Sequence, residues 1–273
     1  MNPFEFRPWY PKGVTHFIAA GASNYIAAVN KDTVLKFPLV PPKETDIYTS
    51  KGLDYRRNIR EAAVKGLDVE EKILNTLGQH PRIIRLIRTH EDGLVLEYMP
   101  NGSVERYLRD VAPDTSLKQR LKWTCQAAEA LAYAHGKNVL HCDFSVGNLL
   151  LDRDLTIKLC DFQGRLLHSD GTVILDGGAA EGSMSSMPRP DRNYCDRKTD
   201  IFALGTAIYF MVTGQTPYPE LDTIDDEDEI RKRFEDGVFP PLARHQGGDV
   251  VRSCWKGCYE SATEVMLDLQ TLF

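Results

Sequence analysis

The chain has 273 residues, with 33 Lys and Arg against 39 Asp and Glu, a formal charge of −6; 42% are apolar and 26% charged. Such values belong to a folded protein and exclude disorder as the main state, and the length allows one large domain or two small ones sharing a cleft. The acidic balance argues against general binding to nucleic acid or to a membrane surface, since both favour basic faces.

The first ten residues, MNPFEFRPWY, have no basic start leading into an apolar run, so no secretory signal is read there. The longest strongly apolar stretch, residues 201–212, is broken by Gly205 and Thr206. It is too short for a bilayer, which takes about 20 apolar residues. The cysteines are Cys125, Cys142, Cys160, Cys195, Cys254 and Cys258, with no CxxC pair. They read as free thiols in a reducing compartment rather than as disulfides or zinc ligands. An intracellular, cytoplasmic or nuclear location is expected.

Strands are predicted over residues 16–20, 25–29 and 33–37, with Asn30-Lys31-Asp32 as a turn. Pro38, Pro41 and Pro42 should end regular structure. Residues 58–77 have helical spacing, with Gly66 able to divide the helix and Gly78 suited to its end. Two short strands follow, over 83–87 and 94–98. Ser116 is a cap for a helix carrying Leu117, Leu121, Ala128, Leu131 and His135, ending at Gly136. Residues 149–151 and 156–159 make a small hairpin around Arg153-Asp154. Asp200 is read as the start of an apolar helix over 201–212, closed by Gly214 and central to its part of the protein. Residues 221–239 read as surface helix and loop, and 251–273 as one or two helices. Residues 165–192, rich in Gly, Ser, Met and Pro, read as a long functional loop.

His141-Cys142-Asp143, then Asn148, then Asp161-Phe162 place an Asp, an Asn and an Asp on loops around that hairpin. Hard oxygen ligands of this kind suit Mg²⁺, which shares its shell with phosphate oxygens. An Asp outside the metal shell can orient a hydroxyl nucleophile. Singly, each residue reads better as a loop polar or a cap; in this order, His-x-Asp-x₄-Asn followed by Asp-Phe resembles the catalytic and metal-binding loops of eukaryotic protein kinases. Thr33-Val34-Leu35-Lys36 is similar to the family's third-strand lysine motif. Glu70 stands where the family has its helix glutamate, with Glu71 the runner-up. Leu94–Met99 is similar to the strand leading into the adenine-binding hinge, and Cys254-Trp255 to a pair near the family's C-terminus. The chain also resembles a short, divergent, fungal-type group of kinase-like proteins.

The resemblance implies an α+β, bilobal fold. A small lobe of five strands and one helix would span residues 1–98, after a short extension over 1–14. A larger, mostly helical lobe would span 99–273. It implies ATP and Mg²⁺ as cofactors. Lys36 would neutralise phosphate, Glu70 would hold Lys36, and Asp143 would accept or steer the hydroxyl proton. Asn148 and Asp161 would bind the metal. Gly21 and Ser23 would cover the phosphates. Val34 and Ala28 above, and Leu150 and Cys160 below, would enclose adenine, with the backbone of Glu97 and Met99 holding it and Leu96 as gatekeeper. The implied activity is transfer of the γ-phosphate to a Ser or Thr hydroxyl of a protein, with a regulatory protein partner among the expected contacts. The alternative is a nucleotide-binding pseudokinase serving as a scaffold.

Several positions depart from the family pattern. Only Gly21 remains of the phosphate loop's glycines, which let backbone amides approach phosphate closely. Ser145 replaces a lysine, so the acceptor hydroxyl class is unmarked. Cys142 replaces the arginine that would read a phosphorylated activation loop. Gln163 replaces the glycine after Asp-Phe, restricting backbone freedom there. Met187-Pro188-Arg189 stands in place of Ala-Pro-Glu, and the family's partner arginine after Trp255 is missing. Since an unpaired buried charge is costly, an Arg189–Glu260 contact with reversed charges is expected.

Overall fold

The computed structural model describes residues 11–40 and 50–273; Pro41, Pro42 and most of the N-terminal extension lie outside the described residues. Strands β1 (His16–Ala20), β2 (Asn24–Ala28), β3 (Thr33–Pro38), β4 (Leu86–His90) and β5 (Gly93–Glu97) form one antiparallel sheet in the order β1-β2-β3-β5-β4. Alternation along β3 sorts its side chains. Leu35 and Phe37 join Ala27 and Val95 in a small apolar cluster on one face. Val34 and Lys36 point to the other, with Ala28 and Ile26 opposite them on β2 and Leu96 and Leu94 opposite on β5. Pro38 does not stop β3. The pairing of β3 with β5 ends at Lys36, so the N–H that Pro38 lacks has no strand partner to miss.

The helix α1 (Ser50–Leu77) is longer than the periodicity predicts and runs unbroken through Gly66. Its buried residues Leu67, Ile73, Leu74 and Leu77 pack into one apolar cluster with Val34 and Leu96. Gly78, at φ +67°, ends it, its N–H donating to the Leu74 carbonyl at 3.0 Å. Residues 83–85 are not strand. Ile83 bridges in parallel to Leu159, and Ile84 N donates to the Leu159 carbonyl at 2.9 Å. These contacts tie the sheet to the helical part.

After the short α2 (Val104–Arg106), α3 (Leu117–Gly136) is capped by Ser116, whose hydroxyl accepts from Gln119 N at 3.3 Å. Strand β6 (Val139–Leu140) follows, then the hairpin of β7 (Leu149–Leu151) and β8 (Ile157–Leu159). The central helix α4 (Arg197–Thr213) is buried from Thr199 to Val212. Its cap is Asp196, in a capping box with Thr199, and not Asp200, which lies buried inside the first turn. Gly214, at φ +77°, closes it. A Cβ at Gly205 would stand 2.6 Å from the Cys254 Cβ, so this glycine permits close packing of α4 on α6 (Gly248–Trp255). Trp255 Nε1 donates to Thr206 Oγ1 at 3.0 Å across that contact. Helices α5 (Glu227–Glu235) and α7 (Ala262–Gln270) complete the helical part.

The stretch over 165–192 is not one long loop. It holds β9 (Arg165–Leu167) and β10 (Val173–Asp176), paired in a three-stranded sheet ordered β10-β9-β6. Gly171, at φ +86°, and Asp170, whose carboxylate accepts from Thr172 N at 2.9 Å, make the turn. No helix among the described residues is long and apolar enough to cross a membrane.

Candidate active site

Lys36, in the middle of β3, is buried, and its Nζ donates to Glu70 Oε2 at 2.5 Å and to Asp161 Oδ1 at 2.7 Å. Glu70 comes from the buried side of α1. Glu71, one residue on, faces outward and accepts from Thr89 Oγ1 at 2.6 Å. Glu70 is therefore the glutamate that meets the lysine. Asp161 follows β8 with φ +64°, a conformation that non-glycine residues seldom hold. Beside it Phe162 is fully buried, its ring edge-on to His141 at 5.2 Å. His141 Nε2 and the Cys160 carbonyl are 2.8 Å apart.

The β7–β8 hairpin brings the other groups together. Cys160 N donates to the Asn148 carbonyl at 3.0 Å, so the two ends of the hairpin present Asn148 and Asp161 side by side in the fold. Asn148 Nδ2 donates to the Asp143 carbonyl at 2.8 Å and to Asp143 Oδ2 at 3.2 Å. Asp143 is in turn fixed by Asp200. The Asp200 carboxylate accepts His141 N at 2.8 Å and Cys142 N at 2.9 Å, and lies 2.9 Å from His135 Nε2.

The electrostatics separate these groups. Burial works against a charge on Lys36, but Asp161 and Glu70 overcome it and hold the ammonium above the usual lysine range. Burial likewise opposes a charge on Asp161, and Lys36 more than offsets it, so this carboxylate lies below its ordinary value. Asp143 has no cation to match. Burial first, and the Asp161 charge second, push it up to about 7, against the pull of the Asn148 hydrogen bond.

A protein kinase domain is matched over residues 39–241. The chain belongs to the protein kinase family. It is 30% identical over 206 residues to 3-phosphoinositide-dependent protein kinase B of Dictyostelium discoideum, covering 71% of this chain and 22% of that protein. It is 30% identical over 198 residues to serine/threonine-protein kinase PKH3 of Saccharomyces cerevisiae, covering 63% and 22%. To mitogen-activated protein kinase kinase kinase 5 of Arabidopsis thaliana it is 29% identical over 204 residues, covering 71% and 28%. The chain thus spans less than a third of the length of each of these curated relatives.

The donor set of this kinase domain fits Mg²⁺. The Asn148 amide nitrogen is taken by Asp143 and one Asp161 oxygen by Lys36, which leaves Asn148 Oδ1 and Asp161 Oδ2 as hard oxygen donors. Of the residues expected to enclose adenine, Ala28, Val34 and Leu96 are buried on the sheet face that carries Lys36. Leu150 lies on β7, bridged to Ser103. Glu97 Oε1 is engaged by Lys158 Nζ at 2.6 Å and by Arg85 N at 2.8 Å, and the Glu97 N–H donates to the Arg85 carbonyl at 3.1 Å. The Met99 carbonyl accepts Gly102 N at 3.1 Å, and among the described residues nothing accepts the Met99 N–H. Gly21 and Ser23 lie at the tip of the β1–β2 hairpin, where Gly21 N donates to the Asn24 carbonyl at 2.8 Å.

The reversed ion pair is not formed as expected. Arg189 Nη2 binds Glu181 Oε2 at 2.7 Å, while Glu260, largely exposed, pairs with Lys198 at 2.7 Å. Glu181 is eight residues before Arg189 on the same segment and already buried, so the nearer carboxylate takes the guanidinium. Two further residues of this site were not legible as such. Asp200 reads in the sequence as the start of a helix, and Gln163 only as a missing glycine. Gln163 Nε2 donates to Glu70 Oε2 at 3.2 Å. Cys142 is buried, and the neighbouring Cys195 and burial together raise its thiol.

Proposed function

We propose that this kinase domain transfers the γ-phosphate of Mg·ATP to a Ser or Thr hydroxyl of a protein. The carrying observation is the single Nζ of Lys36 held at 2.5 Å from Glu70 and 2.7 Å from Asp161. That arrangement keeps a full positive charge fixed at the junction of sheet and hairpin, beside an Asp with one free oxygen. Lys36 presents its charge to phosphate oxygens, and Glu70 fixes the direction of that charge. Asn148 and Asp161 would hold Mg²⁺ through their side-chain oxygens, and the bound ion would spread the negative charge of the transferred group. Asp143, pushed up to about 7, is poised to accept the proton of the acceptor hydroxyl near neutral pH. A protein acceptor accords with the family, and Ser or Thr with the name of the Saccharomyces relative.

The test is incubation of the full chain with labelled ATP and Mg²⁺ against a peptide and protein library, with Asp143→Asn alongside. Label on Ser or Thr that Asp143→Asn abolishes is expected. The glycine-poor tip at Gly21 and Ser23 favours a second reading, a module that binds nucleotide without turnover. A thermal shift with Mg·ATP that Lys36→Ala removes, combined with no label on any acceptor, would select it.

A further inference from the structure

Gln163 does more than replace a glycine. Glu70 is wholly buried, and its Oε2 receives two donors, Lys36 Nζ at 2.5 Å and Gln163 Nε2 at 3.2 Å. Its Oε1 has no partner among the described residues. Beside Lys36, Gln163 is thus the one group among them that donates to this carboxylate. The Gln163 amide reaches it through a notch in α1. A Cβ on Gly66 would stand 2.5 Å from Gln163 Oε1, a distance that real Cβ atoms do not tolerate. Gly66 lies one helical turn before Glu70, on the same side of α1. The far side of Gln163 is braced as well. Its carbonyl accepts Ala179 N at 3.1 Å, and a Cβ on Gly177 would meet that carbonyl oxygen at 2.3 Å.

We propose that Gln163 is a positioning residue that holds Glu70 on Lys36, and that Gly66 is the gap in α1 that admits it. Helix α1 is thereby clasped to the segment after Asp161 and Phe162 without a bound ligand. The glycine at 66, unfavourable in a helix interior, is explained by that contact. The proposal rests on the reading of Lys36 as the phosphate-binding lysine only for its catalytic consequence; the clasp itself is a property of the nucleotide-free protein.

Two variants and their combination test it. Gln163→Met keeps the length of the side chain and removes the donor. Gly66→Ala leaves Gln163 intact and displaces its amide, while alanine favours the helix itself. Amide hydrogen exchange over residues 63–77 and the rate of Lys36 acylation by an amine-reactive ester are read on nucleotide-free protein. Gln163→Met should speed both by about tenfold, the equivalent of one hydrogen bond to a charged group. Gly66→Ala should do the same although its melting temperature does not fall, and the double variant should add little to either. A purely structural role for Gln163 predicts the opposite for Gly66→Ala, slower exchange from the better helix former. Wild-type exchange and acylation rates in Gln163→Met, or slowed exchange in Gly66→Ala, would overturn the proposal. If Gln163→Met does not fold, Gly66→Ala alone decides it. A chain that transfers no phosphate would leave these readings unchanged, so the two failures are separable. Should transfer occur, both variants should lower kcat more than they raise KM for ATP.

Discussion

Arg189 and Glu181 form a buried ion pair, 2.7 Å apart, with side chains 10% and 2% exposed. The guanidinium also donates to the Met187 carbonyl at 2.9 Å and the Arg192 carbonyl at 3.0 Å. One arginine thus ties Glu181, Met187 and Arg192 of the segment between β10 and α4 together. Where the family pattern has a glutamate, this chain has the cation and supplies the anion from eight residues upstream.

Removal of Glu181 strands that cation. Glu181→Ala should destabilise the protein by roughly 3–5 kcal/mol, the range for breaking a buried pair on one side. Arg189→Ala on top of it should add little, because the two share one interaction. Urea denaturation of the single and double variants measures both quantities; additive losses would show that the two residues act separately.

Asp143 carries a pH signature. Its carboxyl is raised to about 7, well above its unfolded value, mainly by burial. Between about pH 4 and pH 7 the folded state holds a proton that the unfolded state has released, so ionisation of this group lowers stability as pH rises through that window. Asp143→Asn should therefore be more stable than wild type at pH 8, on the order of 1–3 kcal/mol, with the gap closing as pH falls toward 4. In the same range kcat/KM of the wild type should fall on the acid side of about 7, where the proton acceptor is lost. Denaturation and rate profiles over pH 5–9 check both.

Much of this architecture was legible because it is local. The β7–β8 hairpin, the Ser116 cap and the spacing of Asp143, Asn148 and Asp161 all lie within short windows where residue type fixes geometry. Glu70 is preferred over Glu71 from the sequence by only one step of register, and the face of α1 that meets Lys36 decides for it. The Gln163–Glu70 bond joins residues 93 positions apart and carries no periodic signal. Strands β9 and β10 were missed for another reason. At three and four residues they are too short for alternation to show, although Asp170-Gly171 between Leu167 and Val173 is a hairpin signal. The helix that the sequence starts at Asp200 begins at Arg197, because Asp196 and Asp200 both suit a helix start and only burial tells them apart.

Control by phosphorylation of the serines after Gly182 should be absent. Cys142 is buried and offers no cation to a phosphate. Ser185 is itself buried. Ser183 and Ser186 have structural partners, the Thr223 carbonyl at 2.8 Å and Arg189 Nη1 at 3.4 Å. Combined replacement of Ser183, Ser185 and Ser186 by Ala should lower stability by about 1–2 kcal/mol for the two lost hydrogen bonds and leave the rate of phosphate transfer within about twofold. A steep loss of rate, restored by Glu at one of the three, would contradict this.

Asp200 is the group on which the conformation of the catalytic loop depends. Fully buried in the first turn of α4, it accepts the N–H groups of His141 and Cys142 and meets His135, and Cys142 is held at φ +62° immediately before Asp143. Burial opposes its charge, but the His135 contact and the backbone donors prevail, and its carboxyl lies below the ordinary value. The sign follows directly: a depressed folded value contributes stability above the unfolded value near 4, lost as pH falls through the folded one. Asn at this position keeps the shape but turns an NH₂ toward a donor, which leaves at least one buried N–H unpaired. Asp200→Asn should therefore destabilise by roughly 2–4 kcal/mol at pH 7.5. The difference from wild type should narrow below about pH 4, where the wild-type carboxylate takes up its proton. With Lys36, Glu70 and Asp161 untouched, Mg·ATP should still raise the melting temperature, while the rate of transfer falls because Asp143 is no longer fixed. Denaturation at the two pH values and a thermal shift with Mg·ATP separate these effects. A variant as stable as wild type at pH 7.5 would show that the loop is held by packing and not by this carboxylate.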